Sequence, residues 1–246
     1  MGRAGILSIT DPSGLPPSGT VVTGVRRAPA DLVEGLGRCG VATVHEAQNR
    51  SGLMHSRLRP VWPGARAAGT AVTVSVPPGD NWMIHVAVEQ TGEGDLLVVA
   101  PTSPCGDGYF GELLATALQG RGVRGLVIDA GCRDVAPLAE MGFPVWSRCV
   151  SARGTVKETL GNVNLPVVCG EQLVRAGDVV VADDDGVVVV ERDRAGAVLE
   201  AAVRREEKEA LSRKRYAAGE ISLDVSAMRD ALAARGLRYV SEQELR

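Results

Sequence analysis

Four residues between Gly108 and Asp134 have types and a spacing that could do chemistry. Gly108 and Glu112 stand at the start of a predicted helix, and Arg133, 21 positions after Glu112, precedes Asp134 at the end of a predicted strand. Glycine lets a ligand approach the backbone, and the free amides of a helix start favour an anion. Arginine binds carboxylates through a planar fork of donors, and aspartate oxygens suit Mg²⁺ or Mn²⁺.

These residues converge only if the helix packs between its flanking strands. The sequence predicts a helix over 111–121, between buried strands at 95–101 and 124–129. The helix start and the strand end would then share the sheet edge at which α/β proteins bind ligands, forming a site for a metal-bound keto acid. The alternative is ordinary: Glu112 complements a helix dipole, and Asp134 caps the next helix.

The remaining pattern predicts one α/β domain with a layered sheet core and a helical end. We assign a flexible N-terminal arm to 1–28, the catalytic domain to 29–193, and a helical extension that packs on the core or on a neighbouring subunit to 194–246. The first helix is predicted to break at Gly35–Gly40, after which Thr43 caps a second helix with Glu46 in a capping box. One more amphipathic helix is predicted near the end of the chain.

Composition excludes several classes of function. The net charge is −3 and aromatic residues make up 3% of the chain, which argues against nucleic-acid and membrane-surface partners. The five cysteines are scattered and form no CxxC motif, so we expect a reduced, cytoplasmic protein.

The small number of lysines and histidines further limits the reaction mechanisms that this chain could use. A Schiff-base mechanism would rest on Lys157 alone, because Lys208 and Lys214 belong to the charge-dense helix near the C-terminus. No HExxH spacing, GxSxG elbow or strand-GxGxxG-helix unit is present, which argues against zinc hydrolase, serine hydrolase and dinucleotide-binding functions.

Several motifs together resemble one family over roughly residues 30–240. They include GVATVHEAQ, PGDNWMIHVAVEQ, GYFGELLATALQGRGVRGLVIDAGCRDV, GTVKETLGNVNLPVVCG and GDVVVADDDGVVVV. The chain resembles the 4-hydroxy-4-methyl-2-oxoglutarate / 4-carboxy-4-hydroxy-2-oxoadipate aldolases, in the superfamily of the regulator of ribonuclease activity A. That resemblance implies a swivelling-domain-like β/β/α fold, homotrimers or homohexamers, and class II catalysis with Mg²⁺ or Mn²⁺.

The resemblance also implies roles for individual residues. It assigns the pyruvyl carboxylate of the substrate to four backbone amides, those of Gly111, Glu112, Leu113 and Leu114. Arg133 would bind the same end of the keto acid and stabilise the enolate, and Asp134 would anchor the metal. Glu112 would hold the water that acts as the base. A glutamate from a neighbouring subunit would approach the site, with Glu209 preferred over Glu206 and Glu207.

The implied activity is cleavage of 4-carboxy-4-hydroxy-2-oxoadipate, or of 4-hydroxy-4-methyl-2-oxoglutarate, in the degradation of aromatic compounds. The products would be pyruvate plus oxaloacetate, or pyruvate alone, and oxaloacetate decarboxylation would be a side activity. Two alternatives stay open at this point. One is a non-catalytic, protein-binding regulator, and the other is an oxo-acid lyase or decarboxylase with a different main substrate.

Overall fold

The structure is a computed structural model that describes residues 16–246. Its helices are α1 (Ala30–Ala47), α2 (Trp82–Val88), α3 (Glu112–Gln119), α4 (Val135–Glu140), α5 (Ala195–Ala217), α6 (Ser222–Val225) and α7 (Arg229–Ala234). Its strands are β1 (Arg59–Pro60), β2 (Ala67–Val76), β3 (Asp95–Pro101), β4 (Gly108–Phe110), β5 (Leu126–Cys132), β6 (Val145–Val150), β7 (Asn162–Val163), β8 (Val167–Cys169), β9 (Gln172–Val174), β10 (Val179–Asp183) and β11 (Gly186–Val190).

One mixed sheet organises the molecule, with the strand order β1-β6-β5-β3-β2-β10-β11. Its centre is parallel, because β2, β3, β5 and β6 all run in the same direction. The short β4 adds a parallel segment beside the end of β5, and the β10–β11 hairpin continues the sheet in antiparallel fashion. The parallel strands are almost continuously apolar, as expected for strands covered on both faces.

Elements pack on both faces of this sheet and give three layers. The helices α2, α3 and α4 cover one face through residues such as Leu118 and Leu138, which meet Leu126 and Ile128 of β5. The small β8–β9 sheet covers the other face, where Val127 belongs to a separate core cluster. Burial of each aliphatic side chain contributes about 1.5 to 3 kcal/mol to the stability of the folded state. The predicted layered β/β/α fold with a C-terminal helix is confirmed.

A buried charge cluster ties the layers together on the β8 side. Asp129 of β5 accepts hydrogen bonds from the guanidinium of Arg57 at 3.0 and 3.2 Å and from Nε of Arg148 at 2.9 Å. The amide of Gly170 donates to the same carboxylate at 3.1 Å. Burial opposes ionisation of Asp129, but these donors outweigh it, so the pKa of Asp129 lies below its ordinary value.

The first helix breaks inside the predicted interval, but it restarts earlier than the sequence suggested. Gly40 has φ 79° and ψ 169°, a conformation that glycine adopts without a Cβ penalty. The amide of Val41 then donates to Oδ2 of Asp183 at 2.9 Å, so a side chain from β10 caps the second segment. The prediction that Thr43 caps it was wrong, because Thr43 lies inside the helix.

Residues 1–15 of the predicted arm lie outside the described residues, whereas residues 16–28 are paired with the core. The amide of Gly19 donates to the carbonyl of Gly161 at 2.8 Å, and Val21 forms a bridge with Val163. Arg27 donates two 2.7 Å hydrogen bonds to the buried carboxylate of Asp95. This part of the chain is therefore docked, which a Gly- and Pro-rich composition did not indicate.

The chain divides into two compact units, the first ending at Ala202 and the second running from Val203 to Arg246. In the second unit, the predicted single amphipathic helix is in fact two short helices, α6 and α7. Ala227, with φ 50°, interrupts the helical backbone between them. None of the helices between residues 16 and 246 has both the length and the apolar character needed to cross a membrane.

Candidate active site

The site begins where β5 ends and the chain turns into α4. Asp134 occupies the position before α4 with φ 58° and ψ 40°, a left-handed conformation that aspartate tolerates better than most residues. Its side chain makes no capping bond to α4. Instead, Oδ2 accepts a hydrogen bond from the amide of Glu112 at 3.1 Å. Backbone strain of this kind is concentrated at functional sites, where surrounding contacts maintain it.

Gly111 allows the two segments to approach this closely. Its backbone is extended, with φ −164°, so its torsion would suit any residue. A Cβ at this position, however, would lie within 3.0 Å of Oδ2 of Asp134, closer than real Cβ atoms come to other atoms. The glycine is therefore required by space, because a methyl group would displace the carboxylate.

Arg133 is anchored through its backbone and leaves its guanidinium half-exposed. Its amide donates to the carbonyl of Phe110 at 2.9 Å, which fastens the end of β5 to β4. Its Nε lies 3.7 Å from Oδ2 of Asp134. Among the described residues, no other acceptor contacts this guanidinium, so most of its donors are free for a ligand.

The start of α3 presents open amides beside these side chains. The helix begins at Glu112, and the amide of Ala115 already bonds to the carbonyl of Gly111 at 3.1 Å. The amides of Leu113 and Leu114 have no acceptor among the described residues. Such groups, together with the helix dipole, attract an anion. The amide of Glu112 differs from the prediction, because Asp134 already accepts its hydrogen.

All of the predicted residues of the catalytic domain line one cavity of about 420 Å³. Glu112, Leu113, Leu114, Arg133, Asp134 and Gly111 all belong to its wall. Five lining residues were not predicted: Asn81, His85, Tyr109, Pro137 and Lys157. Glu209 lies on α5 in the second unit, where it pairs with Arg205 at 2.8 Å, and its role remains a prediction.

A buried carboxylate brings the unpredicted residues to the cavity. Oδ2 of Asp80 accepts hydrogen bonds from the amides of Glu158 and Thr159, each at 2.7 Å, and Oδ1 accepts one from Trp82 at 2.8 Å. Asp80 therefore fastens the loop that carries Lys157 to the start of α2. Burial opposes its ionisation, but these amides and the charge of Lys157 outweigh it and lower the pKa of Asp80.

Asn81 and Tyr109 form the inner wall. Nδ2 of Asn81 donates to the carbonyl of Tyr109 at 2.8 Å, while its buried Oδ1 has no partner among the described residues. The Tyr109 hydroxyl is held between Gly79 and Pro77, and burial raises its pKa, so it stays protonated. The Asp80-Asn81 pair directly after Pro-Pro-Gly was the one sequence signal that could have pointed to this wall.

The charged side chains of the cavity wall balance, so a carboxylate would be bound by individual groups and not by a net positive charge. Burial, followed by the charge of Lys157, lowers the pKa of His85, so its imidazole is neutral at neutral pH. Lys157 and Arg133 are then the two cations of the wall, facing Glu112 and Asp134.

The donors present fit a hard divalent cation better than zinc. Among residues 16–246, no three side chains of His, Cys, Asp or Glu are grouped to hold a metal by themselves. Mg²⁺ and Mn²⁺ accept one or two carboxylates and complete their shells with water and substrate. Asp134 and the neighbouring Glu112 offer such a set of oxygen donors.

Comparison with known proteins agrees with this architecture. Residues 41–189 match the RraA-like family, described as Aldolase/RraA. A protein of Halalkalibacterium halodurans named "Putative 4-hydroxy-4-methyl-2-oxoglutarate aldolase" is 30% identical over 151 residues, covering 61% of this chain and 72% of that protein. A protein of Burkholderia multivorans with the same name is 32% identical over 137 residues, with coverages of 56% and 83%.

Solved structures share the fold and include proteins with other names. Streptomyces coelicolor RraAS2, described as an unusual member of the RNase ES inhibitor RraA protein family, has a TM-score of 0.69 at 28% identity, covering 77% of this chain and 98% of that one. The RNA-processing inhibitor RraA from Thermus thermophilis has a TM-score of 0.55 at 22% identity, with coverages of 61% and 90%, and shows the fold alone. Because the family match spans more than half of the chain, the protein belongs to the RraA-like family.

Proposed function

We propose that the protein is a divalent-metal-dependent aldolase that cleaves 4-carboxy-4-hydroxy-2-oxoadipate to pyruvate and oxaloacetate. It would also cleave 4-hydroxy-4-methyl-2-oxoglutarate to two molecules of pyruvate. The observation that carries this proposal is the convergence of the Asp134 carboxylate, the Arg133 guanidinium and the open amides of α3 on one cavity. The names of relatives support a lyase of this kind.

The keto-acid end of the substrate would bind at the start of α3. The free amides of Leu113 and Leu114 and the guanidinium of Arg133 are arranged to hold the pyruvyl carboxylate. The amide of Glu112 would contribute indirectly, because its hydrogen bond keeps Asp134 in place. Lys157 would take a second carboxylate of the substrate, which suits a substrate with three.

Asp134 and Glu112 would hold the divalent ion, with water and substrate as the remaining ligands. When bound, the ion supplies polarisation of the 2-keto group and charge stabilisation of the enolate. Arg133 would add to that stabilisation, because its free donors could bind the oxygen on which charge develops.

The proton chemistry would belong to Glu112. Through a water that it holds, Glu112 would remove the proton of the C4 hydroxyl. The C4 oxygen then forms a carbonyl, the C3–C4 bond breaks, and its electron pair forms the enolate of pyruvate. Protonation at C3 completes pyruvate, and the remaining fragment leaves as oxaloacetate. Oxaloacetate decarboxylation passes through the same enolate and would be a side activity.

The test of this proposal is pyruvate release with and without EDTA, followed by addition of Mg²⁺ or Mn²⁺. We expect EDTA to abolish turnover and the metal to restore it. Asp134→Ala should remove activity, and Arg133→Ala should cost roughly 3 to 4 kcal/mol of transition-state stabilisation, on the scale of losing an oxyanion donor. Turnover that persists in EDTA would contradict the metal requirement.

A second mechanism is favoured by one specific observation, the presence of Lys157 in the cavity wall. A lysine there could form a Schiff base with the 2-keto group instead. Borohydride reduction in the presence of pyruvate separates the two mechanisms. The proposal predicts no covalent adduct, whereas a mass shift on Lys157 would favour the Schiff base.

Two other functions are compatible with family membership. One is a protein-binding regulator without catalysis, against which the retained Glu112, Arg133 and Asp134 argue. The other is an enzyme whose main substrate is a different oxo acid, such as oxaloacetate. Values of kcat/KM for the two hydroxy-oxo acids and for oxaloacetate decide between the enzymes, and absence of turnover with all three would favour the regulator.

A further inference from the structure

We propose that a second cleft, at the amino-terminal edge of the parallel strands, binds a small oxyanion that carries two or more negative charges. The cleft has a volume of about 670 Å³ and lies between α1, the start of β2 and the segments that precede β5 and β6. Arg38, Arg66, Arg124 and Glu34 are its charged residues.

Small residues leave the cleft open. Its floor includes Gly37, Ala67 and Ala68, which carry at most a methyl group. A Cβ on Gly37 would lie 2.7 Å from the Cβ of Ala68, so α1 packs tightly on β2 here. The space between the surrounding arginines is therefore not filled by side chains from the base of the cleft.

Two of the three arginines are held in place by backbone carbonyls. Arg66 donates to the carbonyls of Gly37 at 2.6 Å and Arg38 at 2.8 Å. Arg124 donates to the carbonyl of Ala68 at 3.3 Å, and its Nη2 lies 3.5 Å from Glu34. Neutral carbonyls orient the guanidinium of Arg66 without cancelling its charge, whereas Glu34 partly offsets the charge of Arg124.

Arg38 is the arginine of the cleft whose guanidinium is available to a ligand. It is exposed, and no hydrogen bond or ion pair of its guanidinium is present among the described residues. With three arginines and one glutamate, the lining carries a net charge of two positive units. Planar guanidinium forks match carboxylate and phosphate oxygens, so the fitting ligand is a compact di- or tricarboxylate or a phosphate compound.

This cleft is separate from the proposed active site. Arg124 precedes β5 and Arg133 follows it, so the length of that strand, roughly 20 to 23 Å, lies between them. Anion binding here therefore does not depend on the aldolase proposal, and either can fail alone.

Calorimetric titration of the full chain at constant ionic strength tests the inference, with citrate and pyrophosphate as probes and acetate as the monovalent control. We expect saturable binding of at least one probe and none of acetate. Arg38→Gln should weaken binding about tenfold, the equivalent of about 1.4 kcal/mol. Stronger binding of citrate would assign the ligand to carboxylates, and stronger binding of pyrophosphate to phosphates.

Two variants control for location. Arg50→Gln changes an exposed arginine of the segment after α1 that pairs with Glu46 outside the cleft, and it should leave binding unchanged. Arg133→Ala should leave unchanged the binding event that Arg38→Gln weakens, because Arg133 belongs to the other cavity. The inference is overturned if neither probe binds, if Arg38→Gln binds as the wild type does, or if Arg133→Ala removes the binding.

Discussion

Gly111 and Asp134 form a matched pair at the residue scale. The carboxylate of Asp134 occupies the space that a side chain on Gly111 would need, and the left-handed backbone of Asp134 directs it there. The 3.1 Å bond from the amide of Glu112 then fixes its position. A metal ligand that is held by its neighbours needs little reorganisation when it binds.

Gly111→Ala is predicted to lower kcat/KM about 100-fold, the usual cost of moving a reacting group by about 1 Å. The added methyl group would force Asp134 away from α3 while leaving the core intact. The control is Gly120→Ala at the other end of α3, where the nearest atom to a new Cβ is 3.4 Å away. Equal activity of the two variants would show that the position of Asp134 is unimportant. Circular dichroism would establish that both variants fold.

At the scale of elements, Asp80 joins two segments that face the active site. Its carboxylate is buried and accepts amide hydrogens from α2 and from the loop that carries Lys157. The loop itself has no helix or strand beyond an isolated bridge between Asp80 and Val156. The Asp80 carboxylate therefore adds to the backbone hydrogen bonds of Arg153 and Val156 that hold the loop.

Asp80→Asn is predicted to cost about 2 to 3 kcal/mol of unfolding free energy at pH 7, since an amide cannot accept all of these hydrogens. The pKa of Asp80 is lowered in the folded state, so its contribution is complete above the unfolded value of about 3.9 and is lost as the pH falls through the folded pKa. The difference between the two proteins should therefore shrink in acid. Urea unfolding measured from neutral to acid pH checks this.

Asp184→Asn provides the matched control for that measurement. Asp184 also accepts a backbone amide, that of Gly64 at 2.9 Å, but it is exposed. Its substitution should change stability by no more than about 0.5 kcal/mol at any pH. A pH-independent cost for Asp80→Asn would show that the charge of Asp80 is not what stabilises the loop.

At the scale of the whole molecule, we propose that a second copy of the chain completes the active site. Among the residues that the structure describes, Glu209, on the outer part of α5, forms an i,i+4 ion pair with Arg205 that is worth about 0.3 to 0.5 kcal/mol. Because this ion pair is weak, Glu209 can leave Arg205 for a stronger partner. In the homotrimer or homohexamer that the family resemblance implies, Glu209 of one subunit would approach Asp134 of the next.

Mixing two inactive variants tests this arrangement. If the site takes Asp134 from one subunit and Glu209 from its neighbour, refolding Asp134→Asn with Glu209→Gln in equal amounts should restore about a quarter of the sites. Recovered pyruvate release near that level is expected in the mixture, and none in either variant alone. Absence of recovery in an assembled mixture would place both residues in a single subunit or exclude Glu209 from the site.

The main strands and helices of the central sheet, and the position of the proposed site along the chain, could be predicted from the sequence. Continuous apolar runs predicted β3 and the first part of β5, and the spacing of Glu112 from Arg133 and Asp134 predicted that a helix start and a strand end share one edge. These features are local in the chain or follow from the right-handed βαβ connection. They can therefore be predicted from the order of the residues.

Contacts between residues that are far apart in the chain could not be predicted and are seen only in the folded structure. Asp183 caps the second half of α1 from a distance of 142 positions, and Asp80 places Lys157 in the cavity from 77 positions away. The folded structure also shows that the amide of Glu112 donates its hydrogen bond to Asp134, so this amide is not free for a ligand. A buried polar group forms a hydrogen bond with whichever partner the folded chain places beside it. Because that partner can lie anywhere in the sequence, the periodicity of the sequence does not predict it.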